Sequence, residues 1–65
     1  MTEYKGYTIK VEAAKDFGTG FLGLYRCYRA ATLIYNGSVA GNIETVERAE
    51  LEAIAQARRR IDRQG

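Results

Sequence analysis

Histidine is missing from the 65 residues, and cysteine occurs once, at Cys27. A disulfide framework needs paired cysteines and a zinc site needs several Cys or His ligands, so neither can be assembled within one chain. A nucleophilic Cys27 would lack the basic partner that such a thiol requires. Also missing are a Gly-rich phosphate loop and a close carboxylate pair on a credible cleft. The expectation is a non-enzymatic protein with no metal and no cofactor. Long apolar runs are absent as well. The opening "MTEYKGYT" holds nothing of the signal-peptide kind, and no later run reaches membrane-spanning length. With a lone thiol in a strand-like run, this points to the cytoplasm and to no membrane partner. A large charge of one sign is lacking too. The formal net charge is +2, far from the basic excess of a dedicated nucleic-acid binder.

What is present is one domain, residues 1–65. A chain this short buries only about 60% of its unfolded surface, so its core is thin. Small folds supplement thin cores with disulfides, metals or a partner chain, and only the last is open here.

In "YTIKVEAAK", Tyr7, Ile9, Val11 and Ala13 alternate with Thr8, Lys10, Glu12 and Ala14. That period of two predicts a strand with one dry and one wet face. "KDFGTG" breaks the pattern and reads as a longer hairpin loop. A second strand is predicted from Phe21 to about Tyr35, with a bulge near Ala31. Asn36-Gly37 is the strongest short hairpin signal in the chain, because both residues tolerate positive φ. A third strand, Ser38 to Ile43, is weakened by Gly41. After Thr45, a good N-cap, the period becomes 3.6: Val46, Ala49, Ala53, Ile54, Ala57 and Ile61 form one apolar stripe. The predicted fold is α+β, a three-stranded antiparallel meander (β-β-β-α) with one C-terminal helix packed on one face.

The run Arg58-Arg59-Arg60 does not form a row, since successive helical residues point about 100° apart. Arg58 and Arg60 flank the stripe, and Arg59 points outward in line with Arg63. Glu44, Glu47, Glu50 and Glu52 lie at the other end, which is the arrangement the helix macrodipole favours. Arg58 and Asp62 are spaced for an i,i+4 pair. Glu50 falls inside the apolar stripe; it either turns its carboxylate to water or pairs with Arg26 or Arg29.

The second strand has two dry faces. Phe21, Tyr25, Cys27, Leu33 and Tyr35 occupy odd positions, and Leu22, Leu24, Tyr28, Ala30 and Ile34 even ones. One helix covers only one face of a sheet. Either a bulge swaps the parity, or a patch of large side chains stays uncovered and marks an interaction surface, with a second copy as the simplest occupant. Cys27 reads as a small hydrophobe in this strand. "LYRCYRA" interleaves aromatics with arginines, the chemistry by which an open sheet holds single-stranded nucleic acid. The candidate binding surface is therefore Tyr25, Arg26, Tyr28 and Arg29, with Arg59 and Arg63 on the helix.

The run "GNIETVERAELEAIAQARRRID" following a meander resembles the HicB-like antitoxin domain. That resemblance implies a protein partner, a small toxin ribonuclease. The order of elements also resembles the last part of the double-stranded RNA-binding domain, although Glu44, Glu47 and Glu50 stand where that domain starts its helix with lysines. Most of the chain is similar to short, uncharacterised bacterial proteins that open with a Y-x-G-Y strand and close with an alanine-rich helix ending in Ile-Asp. The matching residues are Tyr4, Gly6, Tyr7, Ala49, Ala57, Ile61 and Asp62. Together these readings predict action by protein–protein contact, first with another copy through the uncovered sheet face, and single-stranded nucleic-acid binding as the alternative.

Overall fold

The computed structural model describes residues 2–16, 18 and 20–64, leaving aside the side chain of residue 40. In chain order they form β1 (Thr2–Tyr4), β2 (Tyr7–Lys15), β3 (Phe21–Arg29), β4 (Thr32–Ile43) and α1 (Val46–Gln64). The sheet is antiparallel throughout, in the order β1-β2-β3-β4. The fold is α+β with the helix on one face, but the sheet has four strands where three were expected.

The additional strand comes from the first residues. Lys5 and Gly6, with φ of 49° and 85°, make a two-residue turn that pairs Tyr4 with Tyr7. Two consecutive positive φ angles suit the right-handed twist of paired strands, which is why such turns close tight hairpins. The β2–β3 connection is the longer loop the sequence predicts, closed by the Asp16 N–H on the Gly20 carbonyl at 3.1 Å. Phe17 and Thr19 of that loop lie outside the described residues.

The predicted hairpin at Asn36-Gly37 does not exist. Both residues sit inside β4, opposite Arg26 and Tyr25. The chain turns instead at Ala30 and Ala31, with φ of 50° and 66°, so the residues read as one long strand belong to β3 and β4. Gly37 is where it is because the Tyr25 ring lies across it: a Cβ there would sit 2.6 Å from the Tyr25 hydroxyl oxygen. The glycine gives an aromatic room, not the chain a turn. The parity question resolves in the same place. β3 keeps odd residues toward the helix throughout, and β4 absorbs the mismatch with irregularities opposite Cys27/Tyr28 and Phe21/Gly23.

Helix α1 starts where its cap predicts, with the Arg48 N–H bonded to Thr45 Oγ1 at 3.1 Å. Its buried stripe is Ala49, Ala53, Ala57 and Ile61. Beneath lie Tyr7, Ile9, Tyr25 and Cys27, with Tyr4, Val11, Tyr35 and Val39 packed around them. Alanines bring the helix close to the sheet, and Gly23 is the point of closest approach: a Cβ there would collide with the Ala49 carbonyl oxygen and lie 3.1 Å from the Ala53 Cβ. Among the described residues no helix is long and apolar enough to cross a membrane.

Candidate interaction surfaces

Three surfaces carry the chemistry. The first is the end of the molecule where the β1–β2 turn, the β3–β4 turn and the helix C-terminus meet. Tyr7 and Tyr35 pack with ring centroids 5.8 Å apart. The Arg29 guanidinium lies 4.3 Å from the Tyr7 centroid and that of Arg60 5.2 Å from the Tyr35 centroid. Arg58 covers Tyr4 at 5.3 Å. A guanidinium over an aromatic face is held by the ring quadrupole while its edge stays in water. So Arg58 and Arg60 do flank the apolar stripe, each covering a tyrosine on its own side. Burial pushes the Tyr35 phenol up, with its hydrogen bond to Tyr7 adding to this.

Asp62 closes this end. The Tyr4 hydroxyl donates to its carboxylate at 2.9 Å, and Lys5 Nζ lies 2.7 Å from Oδ1. Asp62 therefore ties the helix end to the β1–β2 turn rather than pairing with Arg58. Its hydrogen bonds from Lys5 and then Tyr4 hold its pKa below the usual carboxylate value. The same bonds to Asp62 raise Lys5 and Tyr4. The signs give a plateau. The lowered carboxylate contributes fully above its unfolded value of about 3.9 and loses that contribution as pH falls through the folded value. The raised Lys5 and Tyr4 contribute fully below their unfolded values, near 10, and lose it as pH climbs through the folded ones. Asp62→Asn is expected to lower the thermal midpoint slightly at neutral pH and to flatten the decline at both extremes. Melting curves of the two proteins from acid to alkaline pH check this, and parallel curves would rule the tie out as a pH-dependent contact.

The second surface is the sheet face away from the helix. β2 presents Thr8, Lys10 and Glu12 there, and β3 presents Leu22, Leu24, Arg26 and Tyr28. Leu22, Leu24 and Tyr28 are half-buried, and Lys10 Nζ lies 5.2 Å from the Tyr28 centroid. Leu33, paired with Tyr28, is 44% exposed, and Ile34, the inserted residue beside it, is 43% exposed. A shallow depression between Lys10, Glu12, Leu24, Arg26, Asn36 and Ser38 separates the two apolar groups.

The third is a groove between one flank of α1 and β2, lined by Ile9, Val11, Glu47, Glu50, Leu51 and Ile54 among others. Leu51 is 62% exposed. Glu50 is half-buried on the groove wall and makes no ion pair with Arg26 or Arg29. Arg26 is on the opposite sheet face and Arg29 at the far end, so neither expected partner is placed to reach it.

The six residues singled out from the sequence are not brought together. Tyr25 is buried in the core. Arg26 and Tyr28 share the uncovered face, and Arg29 lies over Tyr7 at the cationic end. Arg59 bonds Gln56 on the outer side of the helix, where Arg63 is also exposed. The arginine–tyrosine packing that does form sets Arg29, Arg58 and Arg60 over Tyr7, Tyr4 and Tyr35, and of these three arginines only Arg29 was among the six. Cys27 is fully buried and its burial raises the thiol pKa, more than the nearby Arg60 charge lowers it. That is the opposite of an activated thiolate. Compared with family models, curated proteins and solved structures, the chain matches none.

Proposed function

We propose that this is a non-enzymatic, cytoplasmic protein-contact domain that docks through its uncovered sheet face, in the first place against a second copy. One observation carries this: the helix shields one face of a four-stranded sheet, and among the described residues no second layer covers Leu33 and the half-buried Leu22, Leu24 and Tyr28 on the other. Sheets survive in water by burying their apolar face against another element. In a small domain with a thin core, a face left bare is a surface for a partner. The resemblance to HicB-like antitoxin domains points the same way, toward protein rather than nucleic acid.

The test is mass in solution. Sedimentation equilibrium is expected to show a species heavier than the 7.3 kDa chain. Leu24→Glu with Leu33→Glu is expected to weaken face contact by roughly 10- to 100-fold, the loss of about 1–3 kcal/mol of apolar burial. A strict monomer at millimolar concentration removes the proposal. Single-stranded oligonucleotide in a parallel sample, with binding that falls steeply as salt rises, would favour the nucleic-acid alternative.

A further inference from the structure

We propose that the outer edge of β4 is a second contact surface, at which another copy of the chain adds its own β4 antiparallel, about a twofold axis at Gly37. This goes beyond docking through the sheet face, because it uses backbone groups at the rim and leaves that face open.

The two edges of the sheet are unlike. On one side β1 has three residues, and the part of β2 that extends past it carries Lys10, Glu12 and Lys15. Short strands and charged residues are the usual means by which proteins guard an edge against pairing with another chain. On the other side β4 runs for twelve residues, TLIYNGSVAGNI, without a charge or a proline. Its irregularities interrupt it near each end, but Tyr35 to Val39 pairs residue for residue with β3.

The direction of the free backbone groups follows from the turns. A two-residue hairpin loop makes the residues flanking it an exchanged, hydrogen-bonded pair, and alternation continues from there. Starting at Arg29↔Thr32, Cys27 bonds toward β4 and Arg26 does not. Starting independently at Tyr4↔Tyr7, Thr8 and Tyr28 form the exchanged pair between β2 and β3, which agrees. Asn36 and Ser38, opposite Arg26 and Leu24, therefore aim their N–H and C=O groups away from the sheet. Arg60 marks this outward direction by donating to the Asn36 carbonyl, at a long 3.4 Å. With a twofold axis at Gly37, Asn36 of one copy meets Ser38 of the other on both sides, and each pair exchanges both of its bonds.

Charge selects the antiparallel copy as the occupant. Lys5, Arg29, Arg58, Arg59, Arg60 and Arg63 collect where β4 begins, with Glu3 and Asp62 the acids among them. Asp16, Glu44, Glu47, Glu50 and Glu52 collect where it ends, with Lys15 and Arg48. Antiparallel addition sets the cationic end of each copy beside the acidic end of the other, which attracts and steers; parallel addition sets like against like.

Ser38→Pro tests the seam. It removes an N–H that points away from β3, so the β3–β4 ladder stays whole, as for prolines tolerated on edge strands. By symmetry two donors are lost per dimer, and dissociation is expected to become roughly 100-fold easier with an unchanged circular dichroism spectrum. Asn36→Lys with Ser38→Lys, which places like charges opposite each other across the axis, serves the same purpose if the proline variant fails to fold. Both are to be compared with wild type and with Leu24→Glu/Leu33→Glu by sedimentation. Association lost in the edge variants and retained in the face variant supports the seam. Folded edge variants that associate as wild type does, while the face variant is monomeric, overturn the seam and leave face docking standing. A wild-type chain that is monomeric throughout overturns both.

Discussion

Gly23→Ala is expected to cost about 2–3 kcal/mol and Gly23→Val more, in line with overpacked cores, whereas Gly18→Ala changes little. The added carbon at residue 23 has nowhere to go. It would meet the backbone of α1 at the Ala49 carbonyl as well as the Ala53 Cβ. A flexible side chain can turn aside; a helix backbone moves only as a whole. Lifting the helix would also loosen Ala53, Ala57 and Ile61 from Tyr25, Cys27 and Ile9, which are the core. At Gly18 an added Cβ meets nothing within 4 Å and φ is not positive, so it serves as the control. A domain of this size has only about 3–10 kcal/mol of stability in total, so the valine variant is expected to be largely unfolded at room temperature. Thermal melts of the three variants decide the matter. If Gly23→Val melts with wild type, the helix does not rest on the sheet at this point.

That close approach also explains what the sequence disclosed and what it hid. The period-two run from Tyr7 to Ala13 and the 3.6-period stripe after Thr45 were legible because burial itself imposes those spacings. Tyr7, Ile9, Ala49, Ala53, Ala57 and Ile61 are buried as expected, whereas Val11, Ala13 and Ile54 are half-buried and Val46, at the helix start, is 41% exposed and outside the core. β1 was missed because its turn uses Lys5, a residue with no turn chemistry, beside Gly6. The β3–β4 boundary was misplaced for a related reason. Asn36-Gly37 is the better local turn, but the fold uses Gly37 as the floor beneath Tyr25 and sets Tyr35 against Tyr7 and Arg60. Tertiary packing overrode local preference. The surplus of apolar residues on β3 was readable, and the uncovered Leu22, Leu24 and Tyr28 correspond to it. The convergence of Arg29, Arg58 and Arg60 on three tyrosines was not, because it joins residues from β3 and α1 to rings on β1, β2 and β4, and no spacing along the chain encodes such a meeting.

The same conflict yields a stabilising substitution. Ala30→Asn with Ala31→Gly is expected to raise stability by about 2 kcal/mol, because each alanine is held in a left-handed conformation that costs an L residue roughly 1–2 kcal/mol, less the chain entropy that glycine adds to the unfolded state. For a domain this small, that corresponds to a thermal midpoint higher by about 8–16 °C. Both native residues are exposed, so no packing is lost by changing them. The substitution also supplies a strong turn signal where the chain actually turns, six residues before the competing Asn36-Gly37, so that local and tertiary preferences agree. A thermal melt reads the result. A midpoint that stays put or falls would show that the chain does not reverse at Ala30-Ala31, and with that the β3–β4 register, the placement of Gly37 under Tyr25 and the outward aim of Asn36 and Ser38 would all have to be redrawn.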